Sequence, residues 1–230
     1  GLPRGRRGAA FREVFSRDPG INRLSAARVF LFGARDAWFV VGIPIYFYSV
    51  LSDGTEEGQR WAFFAVGIFM AVWIIGYGAV QAAAPRILRA RDRDLAETVG
   101  LARLWVGLLT AIPAALALAA WAAGGPAGWL TGILVAGLLV FGVVFAVNSA
   151  LHSYLILAFT EARRVTMDVG FYYMANAGGR LLGTLLSGLS YQAGGLPLCL
   201  AASAAMAALA WACTAWLSRA GAPEGGTAPG

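Results

Sequence analysis

The sequence contains no lysine, one histidine and only two cysteines among its 230 residues. One histidine excludes metal sites built from several imidazole ligands. Cys199 and Cys213 would lie about 21 Å apart along a single helix, which is too far for a disulfide bond. Phosphate-binding loops, zinc-protease motifs and the nucleophile elbow of serine hydrolases are also absent. The sequence therefore predicts neither an enzyme nor a bound metal or cofactor.

Charged residues are scarce as well. They make up 13% of the chain, against about 25% in a soluble domain, while 59% of the residues are hydrophobic. All 18 basic residues are arginine and the net charge is +6. A basic soluble protein would suggest nucleic acid as a partner. Here the mean hydropathy of +0.66 indicates a chain that lies mostly in a lipid bilayer.

Several apolar runs are long enough to cross a hydrocarbon core of about 30 Å. They predict an all-α membrane protein with six transmembrane helices in a bundle over residues 25–217. A cytoplasmic linker, 1–24, precedes the bundle, with a short surface helix near residues 9–15, and a disordered cytoplasmic tail, 218–230, follows it. Pro44 and Pro113 predict kinks, and the short connections near Gly124 and Gly194 predict tight hairpins. The six runs are 26–51, 61–84, 101–123, 127–155, 167–190 and 195–217.

The arginines outside these runs fall almost entirely on one side. Only Arg60 lies in a connection on the other side. The positive-inside rule therefore places both ends of this chain in the cytoplasm. The chain does not start with Met, which suggests a segment of a longer protein. The arginines of the cytoplasmic side are Arg4, Arg6, Arg7, Arg12, Arg17, Arg23, Arg86, Arg89, Arg91, Arg93, Arg163, Arg164 and Arg219.

Six charged residues lie inside the apolar runs, and one of them, Asp168, lies at the cytoplasmic start of its run, where an acid at a helix N-terminus is favourable. Arg28 and Arg103 are close enough to the cytoplasmic interface to snorkel, whereas Arg35, Asp36 and Arg180 are predicted near the midplane. A charge there costs about 2.5–3.5 kcal/mol even on the lenient insertion scale, and it usually faces a bundle interior or an aqueous cavity. Neighbouring helical residues point about 100° apart, so Asp36 does not automatically neutralise Arg35. Asp36 either forms a structural ion pair with another helix or is a protonatable coupling carboxylate.

Polar side chains recur on one face of several predicted helices, which indicates a common polar centre. His152 is either a proton-relay group or a packed histidine. Gly179 and Gly183 form a G-x-x-x-G pair that favours close helix packing and could also allow sliding. The polar faces are Tyr172, Asn176, Arg180 and Ser187; Arg28, Arg35, Tyr46 and Ser49; Trp73, Tyr77 and Gln81; and Asn148 with His152.

Two midplane guanidinium groups against one carboxylate leave a cationic centre. Arginine forms bidentate hydrogen bonds with oxyanions and keeps its charge. The residues alone therefore favour a transporter of an organic or inorganic oxyanion, and they do not choose among phosphate, sulfate, arsenate and sugar phosphates. An intramembrane protease using Ser187 and His152 is an alternative, but nothing beside these residues suggests an oxyanion site.

Four blocks carry a resemblance to a known family. They are "INRLSAARVFLFGARDAWFVVGIPIYFY", "WIIGYGAVQAAAPRIL", "NSALHSYLILAFTEA" and "VGFYYMANAGGRLLGTLLSGLSYQAGG". Over residues 20–217 the chain resembles the C-terminal half of the organoarsenical efflux permeases of the ArsJ type, in the major facilitator superfamily. The resemblance implies half of a twelve-helix transporter, with a missing N-terminal six-helix half as partner.

The resemblance also implies a function. Such permeases export 1-arseno-3-phosphoglycerate, which a partner glyceraldehyde-3-phosphate dehydrogenase makes from arsenate, and so confer arsenate resistance at the bacterial cytoplasmic (inner) membrane. On this basis Arg35 and Arg180 are expected to bind the two anionic ends of the substrate. The residues expected to orient its oxygens are Asn176, Tyr172, Asn148 and Gln81, and the proton-coupling candidates are Asp36 and His152.

The loop "APRILRARDRDLAE" matches the superfamily's loop motif only weakly. Its charges either form gating pairs between helices or only set the orientation of the chain in the membrane. Two further readings stay open. One is a carrier of the same superfamily for another phosphorylated metabolite. The other is a six-span structural or assembly protein whose charges join subunits.

Overall fold

The fold was determined as a computed structural model, which describes residues 18–88, 93–160 and 165–220, without the side chains of 218–220. Within these ranges the chain is helical and forms no strand. The helices are α1 (Pro19–Phe39), α2 (Gly42–Leu51), α3 (Glu56–Ile87), α4 (Leu95–Ala123), α5 (Gly128–Phe159) and α6 (Val165–Ala220).

Five helical stretches are long and apolar enough to cross a membrane: Pro19–Leu51, Glu56–Ile87, Leu95–Ala123, Gly128–Phe159 and Val165–Leu217. The prediction of an all-helical, multi-pass membrane protein is confirmed at this level. The first stretch joins α1 and α2, and the last is the whole of α6 up to Leu217. Because α6 is 56 residues long, a straight helix of that length would far exceed a bilayer of about 40–45 Å.

The chain reverses inside α6. Gly194 and Gly195 leave helical geometry, and Gly195 has a φ of 62°, which glycine adopts without a steric cost. The Cys199 thiol lies 3.3 Å from the Ser190 hydroxyl and 3.4 Å from the Ser187 carbonyl oxygen. Twelve residues of continuous helix would separate Ser187 from Cys199 by about 18 Å. Residues 165–193, the first limb, therefore pack against residues 196–220, the second limb.

The first membrane-spanning stretch is interrupted between α1 and α2, close to Pro44. Proline has no N–H and its ring clashes with the carbonyl four residues earlier, which here belongs to Val40. The Val41 N–H leaves the helical ladder and donates to the Ser187 hydroxyl at 3.1 Å. The backbone N–H that the interruption frees is thus satisfied by a side chain of the first limb. In α4, by contrast, the helix continues through Pro113.

Helix α1 begins at Pro19, earlier than the end of the linker expected over residues 1–24. The Asp18 carboxylate accepts from the Gly20 N–H at 2.6 Å, and proline is favourable in a first helical turn. Ile21 and Leu24 are buried, so this turn belongs to the bundle. The rest of that linker, its expected surface helix and the tail beyond residue 220 lie outside the described residues.

Helix α1 occupies the centre of the bundle. It packs along both limbs of α6 and against α5, and most of its residues are buried, whereas most of α3 is exposed. Edge-to-face aromatic pairs join α1 to α5, with ring centroids 5.1 Å apart for Phe32 and Phe145 and 5.0 Å apart for Trp38 and Phe141. Arg28, Arg35 and Asp36 on α1 are therefore held inside protein.

Candidate functional site

Helix α1 and the first limb of α6 approach each other at glycines. A methyl group on Gly179 would collide with the backbone of Val29, and one on Gly183 would collide with the backbone of Gly33. Only residues without a side chain allow this separation, as the G-x-x-x-G spacing predicts. The close crossing brings Arg180, which lies between the two glycines in sequence, within reach of Asp36 on α1.

Asp36 lies between two arginines. Its Oδ1 accepts from Arg35 Nε at 2.6 Å, and its Oδ2 accepts from Arg180 Nε at 3.3 Å. Adjacent residues were not expected to pair automatically, but the long Arg35 side chain folds back onto its neighbour's carboxylate. Asp36 therefore has both an intrahelical and an interhelical partner. The three side chains are called the triad below.

The two arginines of the triad differ in their surroundings. The Arg35 side chain is 8% exposed and that of Asp36 is 3% exposed, whereas the Arg180 side chain is 62% exposed. Arg35 also donates from Nη1 to the Tyr77 hydroxyl at 3.2 Å and lies over the rings of Phe32 and Phe145. Arg35 is thus fixed by its contacts, while Arg180 presents most of its donors to the outside of the described bundle.

Arg28 does not snorkel to an interface as expected. The residue is 3% exposed, and its Nη1 donates to the Ser149 carbonyl oxygen on α5 at 3.2 Å. Its guanidinium carbon lies 4.2 Å from the centre of the Phe32 ring and 4.8 Å from that of Tyr172. The packing of α5 and α6 around α1 encloses this side chain. The distance of Arg28 from the end of its apolar run does not reveal this enclosure. Arg103 is exposed, as expected, with its guanidinium over the Trp211 ring.

The polar residues expected at one centre divide between two places. Tyr172 is buried beside Arg28, not beside Arg35. Asn148 and His152 are buried on α5 one turn apart. Asn148 donates to the Val144 carbonyl, and neither ring nitrogen of His152 has a hydrogen-bond partner in the part of the chain that the structure describes. Asn176 is half-buried on the first limb between these two places.

Gln81 is half-buried on α3, one turn beyond Tyr77. Among the residues that the structure describes, it makes no hydrogen bond and no contact with the triad. Tyr77 takes the place expected for Gln81, because its hydroxyl reaches Arg35. Both residues lie on the polar face that the sequence predicts for this helix. The predicted face therefore identified the helix that contacts Arg35, but not the residue that makes the contact.

Ser187 and His152 do not form a catalytic pair. The Ser187 hydroxyl accepts from the Val41 N–H, whereas His152 lies one turn from Ser149, which contacts Arg28. Val41 and Arg28 are thirteen residues apart along a nearly continuous helical stretch, about 20 Å. Ser187 and His152 therefore lie at opposite ends of this stretch, much farther apart than the hydrogen-bond distance that an activated serine requires.

The charges near α1 do not cancel. Around the middle of α1, Arg28, Arg35 and Arg180 carry three positive charges and Asp36 carries one negative charge; the other buried carboxylate, Asp168 on the first limb, pairs with none of them in the described ranges. Within the described ranges, Arg28 forms no ion pair with a carboxylate. Buried charges remain only where partners or water compensate them. The region is thus suited to attract an anion.

No family model matches the chain, and neither a curated protein nor a solved structure is significantly similar to it.

Proposed function

We propose that the chain is the C-terminal half of a major facilitator transporter that moves a small organic oxyanion across the membrane. The observation that carries the proposal is the Arg180 side chain, which is 62% exposed yet bonded to a buried carboxylate. An arginine on a membrane helix is costly unless it faces protein or water. A substrate cavity between two halves of a carrier would provide both.

Six membrane crossings follow under this proposal. The two limbs of α6 pack side by side after the reversal at Gly194–Gly195, so each limb accounts for one crossing. The other four are the α1–α2 stretch, α3, α4 and α5. An even number of crossings places both ends of the chain on one side, which agrees with the distribution of arginines and with a cytoplasmic location for both.

The triad supports binding by competition. Arg180 uses only Nε to hold Asp36, at the long distance of 3.3 Å. A phosphate or arsenate group can accept two parallel hydrogen bonds from a guanidinium and replace this single contact. Asp36 would then keep Arg35 as its partner, so substrate binding would not leave a buried carboxylate without a cation. Arg35 acts in this scheme by holding Asp36 in place.

The resemblance described above supports a specific substrate, 1-arseno-3-phosphoglycerate, and a function in arsenate resistance. A molecule with an arsenate group, a phosphate group and a hydroxyl suits a region with more than one arginine. Another phosphorylated metabolite is the alternative within the same class of carrier. The functional partner is then the dehydrogenase that makes the arsenic ester, and the site of action is the bacterial cytoplasmic membrane.

The geometry favours Asp36 over His152 as the proton-coupling group. Asp36 contacts both candidate substrate-binding arginines, whereas His152 is buried on α5 and makes no contact with the triad. Direct contact lets a proton on Asp36 change the affinity of a substrate-binding arginine for its ligand, and substrate binding then changes the affinity of Asp36 for the proton in return.

The experiment uses everted membrane vesicles that contain the full-length carrier to which this segment belongs under the proposal. The vesicles receive arsenate, glyceraldehyde-3-phosphate, NAD and the dehydrogenase, and trapped arsenic is measured. Arsenic should accumulate only with the dehydrogenase present, and Arg180→Gln should reduce the rate by at least about 100-fold, as expected for the loss of a charge-assisted bidentate contact.

Arg60→Gln is the matched control, because Arg60 is an exposed arginine on α3 and makes no contact with the triad. It should transport at the wild-type rate. If a well-folded wild-type carrier gives no accumulation that depends on the dehydrogenase, the arsenic substrate is wrong. If Arg180→Gln abolishes folding rather than transport alone, the triad joins helices and the structural reading is correct.

A further inference from the structure

A second polar cluster shares the Phe32 ring with the triad. Both guanidinium carbons, of Arg28 and Arg35, lie within 5.0 Å of the centre of this ring. Arg28 belongs to α1, and its hydrogen bond to the Ser149 carbonyl fixes it against α5. This crossing of α1 and α5 contains no carboxylate partner for Arg28 among the described residues.

The cluster contains more donors than it uses. Arg28 Nε, the hydroxyls of Ser25 and Ser149 and the ring nitrogens of His152 are buried without a hydrogen-bond partner among the described residues. The Tyr172 hydroxyl on α6 is also unpartnered, and so is one acceptor, Asn148 Oδ1 on α5. Ser25 and Arg28 are one turn apart on α1, and Ser149 and His152 are one turn apart on α5, so each pair shares a helix face. A neutral imidazole has one N–H donor, and each hydroxyl has one as well. Four donors therefore face one crossing around a buried cation.

Unpaired buried polar groups are rare, and each requires an explanation. Internal water could satisfy the hydroxyls and the imidazole, but water does not balance the charge of Arg28. An anion would accept hydrogen bonds from all four donors and would also neutralise the guanidinium. Excess donors and excess positive charge at the same place are the two requirements of an anion site.

We propose that Arg28, Ser25, Ser149 and His152 form a second anion-binding site, separate from the triad, for a chloride-sized ion or a small tetrahedral oxyanion. The aromatic rings of Phe32 and Tyr172 line it and exclude bulk water. The site does not depend on the proposed transport function, because a bound inorganic anion would equally stabilise the bundle. If the anion is instead one end of a transported molecule, the site extends the substrate path along α1.

The test is the thermal unfolding midpoint of the purified full chain in nanodiscs, followed by tryptophan fluorescence at constant ionic strength. Gluconate is the reference anion, and chloride, inorganic phosphate or 3-phosphoglycerate replaces it in steps. A ligand that binds only the folded state raises the midpoint in a saturable way. We expect a saturable rise of several degrees with chloride or phosphate in the wild type and in Arg103→Gln, whose arginine is exposed on α4.

Arg28→Gln should remove this rise, and Ser149→Ala should weaken the apparent affinity several-fold. The alanine variants of Ser25 and Ser149 remove only a hydroxyl that has no partner among the described residues, so they decide the question if Arg28→Gln does not fold. A rise with 3-phosphoglycerate that competes with chloride would assign the site to the substrate path; a rise with inorganic anions alone would make it a resident-anion site. An unfolding midpoint no higher than in gluconate, or an equal rise in all variants, would overturn the proposal and indicate that water satisfies the donors.

Discussion

At the scale of single residues, Asp36 is held by two partners on two helices. It accepts from Arg35 and Arg180 and is almost fully buried. A buried carboxylate between two guanidiniums is stable because its negative charge is compensated. The surplus positive charge of the triad then resides on Arg180, the one member that is exposed. This asymmetry distinguishes a fixed arginine from an arginine that is available to a ligand.

Removing Asp36 alone should be worse than removing it together with Arg35. Asp36→Asn leaves the Arg35 cation buried with only Tyr77 and aromatic rings as partners, and breaking a buried pair in this way costs about 3–5 kcal/mol. The double variant Arg35→Met, Asp36→Asn removes the stranded cation and should recover most of that loss. Thermal unfolding midpoints of the three proteins in the same nanodiscs measure the difference. A double variant less stable than Asp36→Asn would contradict this account of the triad.

The sequence predicted that Arg35, Asp36 and Arg180 lie inside the membrane, but it did not predict their partners. Arg28 shows why. Its distance from the end of the apolar run predicts snorkelling, whereas its burial results from α5 and α6, which are more than a hundred residues away in the chain. Tyr77 and Gln81 share a helical face, and only the tertiary arrangement decides which of them reaches Arg35.

At the scale of helices, the crossing of α1 with the first limb of α6 determines the site. Glycines on both helices allow the backbones to approach, and Gly33 on α1 faces Gly179 and Gly183 on α6. The spacing of small residues predicted this packing correctly. It could not identify the partner helix, because a G-x-x-x-G pair is compatible with any close neighbour.

Two adjacent glycines provide a direct test of this crossing. Gly178→Ala should be neutral or slightly stabilising, because a methyl group there meets nothing within 4 Å and alanine favours helix by about 0.5–1 kcal/mol over glycine. Gly179→Ala should destabilise the fold and reduce transport, because its methyl group meets the Val29 backbone, which cannot move aside as a side chain can. Unfolding midpoints and transport rates of both variants measure this. Equal effects at the two positions would contradict the close crossing.

The helix boundaries were largely predictable, and the exceptions have local causes. The apolar runs coincide with α3, α4 and α5 to within a few residues, since lipid exposure leaves a strong signal in composition. The sequence predicted a kink at Pro44, and the structure has an interruption at Val40–Val41, at the carbonyl with which the proline ring would clash. The start of α1 at Pro19 was missed because the Asp18 cap lies within a polar, arginine-rich segment.

At the scale of the whole molecule, the described bundle has one polar region along its central helix. Arg28 lies at one end of this region and the triad at the other, with the Phe32 ring between them. The buried end is closed by α5 and α6, and the exposed end is formed by Arg180. Under the proposed function the exposed end faces the other half of the carrier, so a complete substrate site requires residues from both halves.

The measurement that tests this account most directly is anion exchange in proteoliposomes containing the purified full-length carrier. Labelled 3-phosphoglycerate, a stable relative of the proposed substrate, is loaded inside, and its exchange is compared for wild type, Arg180→Gln and Arg60→Gln at equal amounts of folded protein. The account predicts that wild type and Arg60→Gln exchange alike and that Arg180→Gln loses nearly all exchange. Full exchange by a well-folded Arg180→Gln protein would contradict the central claim that Arg180 binds the transported anion.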